Sequence, residues 1–276
     1  MIVDAQIHAW RETVQYPTPH AVRPRHGSEY TIERALEEMD RHGVDRAILV
    51  PPASWPTGPT RNSYSMDAAA RFPDRFGVMG LFDFDGPKDS ARLAGWRANG
   101  MLGIRAWLAD PQASPSLTDR AFDWFWSGLE EHAIPFMSAA PGRMRLYADL
   151  LERFPGLRLI IDHCGRDPLG LRGPAAWSDL DQTLALARWP QTTIKVSCLP
   201  AHAEQPYPFA DLHGPIRRIF DAFGPRRMLW GSDATRLPCS YGENLALFQE
   251  ALPFLANEDR TWILGRTALK ACDWNR

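Results

Sequence analysis

Three residues far apart in the chain, His8, His163 and Asp233, are of the types that together activate water on a carbonyl. A carboxylate takes a proton from water, and two imidazoles polarise a carbonyl or hold a metal ion. Each follows a short apolar run: DAQIHAW at the start, LIIDHCGR in the middle and MLWGSDAT near the end. Other polar groups end similar runs: Gln6 two residues before His8, Arg105 and Trp107 in GIRAW, Ser138, Lys195 and Ser197, and Arg166 just after His163. The period of two along a strand predicts that Asp4, Gln6 and His8 share one face. One histidine at a strand end is commonly a surface residue. Three such groups on one end of a fold make a candidate site, with Gln6, Arg105, Arg166, Trp107, Lys195 and Ser138 as candidate substrate contacts. Asp4 and Asp162 are expected to orient backbone or histidine from behind.

The elements that must position these groups alternate. Strand-like runs cover 1–8, 46–50, 76–81, 102–107, 134–138, 157–162, 193–197 and 227–231. Helical periodicity covers 32–42, 63–71, 90–98, 119–132, 143–154, 176–188 and 216–223, then 243–252 and 264–272. Eight strands each followed by helix predict a parallel sheet, and eight such units predict an α/β fold: a single (β/α)8 TIM barrel, one domain over 1–276. An open doubly wound sheet would show a glycine-rich turn after the first strand, and DAQIHAW has none. Helix-to-strand connections are short, whereas the strand-to-helix connections 10–31, 51–62, 164–174 and 199–215 are long and rich in Pro or Gly. In a barrel those long loops all lie at the C-terminal ends of the strands, the face that carries active sites. His20 and His202 lie on two of them and are further candidates for touching substrate.

Composition narrows the function class. A length of 276 residues suits one barrel, and a net charge of -2 argues against a nucleic-acid partner. No apolar run approaches the ~20 residues of a membrane span, and the N-terminus lacks the basic start and apolar stretch of a signal peptide. Cys164, Cys198, Cys239 and Cys272 are widely spaced, with no CxxC pair, which predicts free thiols and a cytoplasmic location. The expected partner is a small-molecule substrate; both monomer and homodimer remain open.

The three motifs, with the ending ILGRTALKACDW, resemble the amidohydrolase-related family over essentially the whole chain. The resemblance falls nearest its lactonase branch, which includes 2-pyrone-4,6-dicarboxylate lactonase and sugar-lactone hydrolases. It implies that Asp233 is the general base on water, that His8 and His163 polarise a carbonyl or hold a metal, and that Arg105 and Arg166 grip a substrate carboxylate. The sequence departs from the family pattern at Gln6, where the first histidine of an HxH pair is usual, at Ser138, where strand five has no histidine, and at Ala234. Gln is a poor zinc ligand. The expectation is therefore a lactone-opening hydrolase without a cofactor. The alternative is one divalent metal such as zinc on His8, His163 and Asp233. A metal-dependent decarboxylase or amidase of the same superfamily, or a barrel that binds without turnover, are the competing readings.

Overall fold

The apolar runs form strands and the amphipathic segments form helices in a computed structural model that describes residues 1–11, 29–52, 62–84, 86–108 and 119–274. Its strands are β1 (Val3–Ile7), β2 (Arg46–Leu49), β3 (Phe76–Gly80), β4 (Met101–Trp107), β5 (Phe136–Ala139), β6 (Leu159–Ile161), β7 (Thr193–Ser197) and β8 (Met228–Gly231). They pair in sequence order and in parallel. The seam between β8 and β1 is joined by Asp233 N donating to Gln6 O at 3.0 Å and Ser232 N donating to the Asp4 carboxylate at 2.7 Å. The fold is the (β/α)8 barrel that the alternation predicts.

Helices pack outside the strands. The first, α1 (Ile32–Arg41), starts where the Thr31 side chain accepts from Arg34 N and buries Ile32, Ala35 and Met39, one stripe at helical spacing. Next come α2 (Ser63–Arg71), α3 (Asp123–Glu131), α4 (Arg145–Arg153), the short α5 (Leu180–Leu184), α6 (Ala210–Phe223) and α7 (Tyr241–Ala246). A capping box of Ser240 and Glu243 opens α7. Then α8 (Asn257–Thr261) and α9 (Thr267–Cys272) close the chain.

Several expected helices are shorter than predicted or change type: a 3-10 turn precedes α3, and π-helical turns at Leu247–Ala251 and Trp262–Arg266 follow α7 and precede α9. Over 90–98 only a 3-10 turn, Ser90–Leu93, forms, because Gly95 and Gly100 (φ +90°) break the helical run. Over 176–188, α5 is flanked by 3-10 turns. Conversely, α6 starts at Ala210, six residues before the predicted start. Its Pro215, expected to end a loop, sits within the helix and removes one backbone hydrogen bond there. Burial of Leu212, Ile216, Ile219 and Phe223 on one stripe offsets that loss.

The apolar interior has two layers. One fills the space between strands and helices. The other fills the barrel itself with Val3, Ala5, Ile48, Met79, Leu102, Met137, Ile160 and Leu229, and is floored by Ala268, Cys272 and Trp274. The polar site sits above this plug. Strand β1 reaches it through an irregularity: its register against β2 shifts between Asp4 and Ile7. Val3 and Ala5 belong to the inner layer, Ile7 to the outer one, and Gln6 and His8 turn into the mouth. The expectation that Asp4 shares a face with Gln6 and His8 is therefore corrected. One extra residue in a strand reverses the alternation beyond it. The Asp4 carboxylate stabilises the shift by accepting from Gln6 N at 2.9 Å.

Candidate active site

His8, His163 and Asp233 are brought together at the C-terminal ends of β1, β6 and β8, all buried. His8 Nε2 lies 3.5 Å from Asp233 Oδ1, and His163 Nε2 lies 3.8 Å from Asp233 Oδ2. His163 (φ +47°) and Asp233 (φ +50°) take left-handed backbone conformations, as does Cys198 (φ +56°) just after β7. Non-glycine residues are strained there, and such strain concentrates at sites that must aim a side chain. The chain turns sharply where each strand ends, which points His163 and Asp233 across the barrel mouth rather than out along the loop.

Hydrogen bonds fix the histidines from both sides. His8 Nδ1 donates to Val50 O at 2.7 Å, and His163 Nδ1 faces Ser197 Oγ at 2.8 Å. On the other side the Gln6 amide nitrogen lies 3.0 Å from His8 Nε2 and 3.3 Å from His163 Nε2. Burial holds both imidazoles neutral, lowering His8 to about 4 and His163 to about 3 from an ordinary 6.5, although Asp233 opposes the shift for both. For Asp233 burial raises the pKa, but His8, His163, Arg236 and Lys195 outweigh it and keep the carboxyl below its ordinary value. Neither Asp233 oxygen accepts a hydrogen bond from His8, His163 or Arg236, and the buried Cys198 thiol is the side chain within hydrogen-bond reach of the carboxylate. The lowered pKa keeps the carboxylate in its ionised form, and its lone pairs are open to a water molecule, the arrangement a general base needs.

A second charged layer lies behind. Lys195 is fully buried, pairs with Asp162 Oδ1 at 2.5 Å and donates to Gln6 Oε1 and to Met137 Sδ. Burial depresses Lys195, and Asp162 counters it. Arg105 Nε donates to Asp162 Oδ2 at 3.2 Å, and its guanidinium stacks 5.1 Å from the Trp107 ring centre. Trp107 in turn meets His163 edge-on at 6.2 Å. Arg105, Trp107, Lys195 and Gln6 thus all border the trio. Burial raises the pKa of Asp162, but Lys195, Arg105 and His163 hold it well below the carboxylate range overall.

Two predicted contacts are engaged elsewhere. Arg166 donates to Cys164 O, Ala176 O and Thr183 Oγ1 and pairs with Asp179, so its guanidinium ties the loop after β6 to α5. Ser138 Oγ donates to Ala106 O and accepts from Tyr147, which links β5 to its neighbour and to α4. His202 Nδ1 donates to Leu171 O beneath the Trp177 edge, and His20 lies outside the described residues. Arg236, a polar residue at the end of the eighth strand to which the sequence reading gave no role, has its Nε 3.7 Å from Asp233 Oδ2. Its spacing of three residues after Asp233 was the available signal. This pair does not draw Asp233 away from the histidines.

Zinc needs lone pairs converging from about four ligands. Both Nε2 atoms here face the Gln6 amide nitrogen, whose N–H groups are donors and compete with a metal for the space between the rings. Three cations, Lys195, Arg105 and Arg236, already face two carboxylates, Asp162 and Asp233. Among the described residues no group of three or more His, Cys, Asp or Glu side chains is arranged to hold a metal ion. In this arrangement the residues do not fit zinc.

The chain matches the amidohydrolase family over residues 3–272. It is 29% identical to an L-fucono-1,5-lactonase of Burkholderia ambifaria over 211 residues, 74% of this chain and 70% of that protein. A crystal structure of an amidohydrolase from Burkholderia multivorans, described with bound zinc, superposes with a TM-score of 0.83 at 22% identity, covering 99% of each chain. A probable 2-pyrone-4,6-dicarboxylic acid hydrolase from Acinetobacter baumannii, with citric acid bound, superposes with a TM-score of 0.75 at 20% identity over 99% of each chain. At those identities the two structures share the fold. Among the described residues no helix is long and apolar enough to cross a membrane.

Proposed function

The chain belongs to the amidohydrolase family of hydrolases, and from that premise we propose that it opens a small, oxygen-rich lactone with Asp233 as general base. The observation that carries the reading is the Asp233 carboxylate: ionised, wholly buried at the barrel mouth and without a hydrogen bond from either histidine or from Arg236. Asp233 takes a proton from water as the water oxygen bonds to the lactone carbonyl carbon. Negative charge then gathers on the carbonyl oxygen, in the positive field of Arg105, Lys195 and Arg236. The ring C–O bond breaks, and the proton on Asp233 passes to the departing ring oxygen. Water is consumed, a hydroxy acid forms and Asp233 is regenerated.

The neutral histidines shape this site rather than polarise the carbonyl. Each presents an Nε2 lone pair, so neither has an Nε2–H to donate. A lactone, with its activated carbonyl and internal leaving group, suits such a site better than an amide does. No metal is needed for the steps written here, and the donor set around Gln6 supports the cofactor-free reading. L-fucono-1,5-lactone and related sugar lactones are the first candidates, given the curated relative's name. Arg105 and Arg236 would favour a lactone that also carries a carboxylate.

The test is turnover of a panel: L-fucono-1,5-lactone, other aldonolactones and 2-pyrone-4,6-dicarboxylate, each with the natural chain and Asp233→Asn. The expected result is hydrolysis of at least one compound, lost in the variant. Hydrolysis that survives Asp233→Asn would overturn the assignment of the base, and no turnover across the panel would overturn the substrate class.

A further inference from the structure

We propose that Gln6 and Lys195 are a positioning pair that sets the tautomer of both active-site histidines and occupies the space between them. The argument is one of donors and acceptors. An ammonium only donates, so the Gln6 atom facing Lys195 Nζ is the carbonyl oxygen Oε1. The amide nitrogen is then the atom 3.0 Å from His8 Nε2 and 3.3 Å from His163 Nε2. An NH2 group has two hydrogens and no accessible lone pair, so it donates one to each histidine. Both Nε2 atoms must therefore be acceptors, and both protons must sit on Nδ1.

The same conclusion is reached independently from the far side of His8. Its Nδ1 lies 2.7 Å from the Val50 carbonyl oxygen, which can only accept. His163 Nδ1 has the Ser197 hydroxyl as its partner at 2.8 Å, which accepts equally well. The pair is itself held rigidly. Lys195 donates to Gln6 Oε1 and Met137 Sδ, forms an ion pair with Asp162 and is wholly buried. Polarity thus runs one way from Asp162 through Lys195 and Gln6 to the two histidines. Gln6 and Lys195 are consequently not substrate contacts but the reason the histidines leave Asp233 without a hydrogen bond. This inference rests on the lactonase reading only for its effect on rate; the tautomers follow from the contacts alone.

Gln6→Glu tests it most sharply. The side chain keeps its size and its acceptor for Lys195, but it has no N–H to give the histidines. Four lone-pair donors, the new carboxylate with His8, His163 and Asp233, would then converge without an N–H between them. Nitrogen-15 NMR of the imidazoles in the intact protein is expected to show Nδ1–H with an accepting Nε2 for His8 and His163 in the natural chain. In the metal-free variant both should change to imidazolium or Nε2–H, and in a separate sample incubated with zinc the metal retained after dialysis should rise by about tenfold or more over the natural chain. Lys195→Met should loosen the tautomer preference without the gain in zinc. Nε2–H histidines in the natural chain, or histidine signals and zinc content unchanged in Gln6→Glu, would overturn the proposal. If Gln6→Glu does not fold, the natural chain's tautomers decide alone. Failure of the lactone panel with the expected tautomers would count against the function and not against this pair.

Discussion

Two buried carboxylates lie on the seam between β1 and β8, and they are opposites. Asp4, below the mouth, accepts from Gln6 N, Ser232 N and the Tyr241 hydroxyl. Asp233, at the mouth, accepts no hydrogen bond from backbone, from the histidines or from Arg236, and has only the weak Cys198 thiol within reach among the described residues. Yet burial pushes Asp4 up to about 6, its hydrogen bonds only partly opposing this, whereas Asp233 lies below its ordinary value. The difference is the neighbouring charge. The groups that hold Asp4 are dipoles, while Asp233 sits among Arg236, Lys195 and two imidazoles. Hydrogen bonds make Asp4 a structural joint, while nearby positive charge keeps Asp233 ionised and the scarcity of hydrogen bonds leaves its oxygens open to water.

The strongest way to break this comparison is to exchange the roles by mutation. Asp233→Asn should lower turnover by about 10²–10⁴-fold, the usual reach of a general base, while leaving the melting temperature unchanged or higher. Measuring both on one preparation checks it, and a large loss of stability with activity retained would reverse the assignment. Asp162→Asn comes next, because it leaves Lys195 and Arg105 buried against a neutral partner. About 3–5 kcal/mol of stability should go, as measured by denaturant unfolding. Asp4→Ala should cost about 2–4 kcal/mol, since it strands Gln6 N and Ser232 N. Asp4→Asn keeps one acceptor oxygen for both N–H groups and should cost much less.

A further effect is in pH. His8 and His163 have folded values of about 4 and about 3, below the ordinary 6.5, so the stability they confer is full above 6.5 and drains as pH falls through those values. Asp4 runs the other way. Its folded value of about 6 exceeds the ordinary 3.8, so its contribution is full below 3.8 and is lost as pH rises through 6. Unfolding free energies between pH 7 and 4 should therefore decline on acidification, and Asp4→Asn should make the decline steeper. An unchanged slope in that variant would show that Asp4 does not titrate differently in the folded state.

Much of this was legible in the sequence because it is local. Strand and helix periods, the short helix-to-strand turns and the strand-end polar residues are all written in neighbouring positions, and they give the barrel, its active face and the trio. Three things were not. The register shift in β1 separates Asp4 from the face of Gln6 and His8, and depends on how β1 meets β2. Arg166 has the composition of a substrate-gripping residue, but Asp179 and Thr183 hold it, and only the path of the loop after β6 brings them near. The contact from Lys195 to Gln6 joins residues 189 apart in sequence. The sequence by itself determined which residue types stand at the strand ends, because alternation and hydropathy act over a few residues. The tertiary structure alone decided which way each points and who shares its protons, because hydrogen bonds and charge pairing depend on ångström distances that only barrel closure sets.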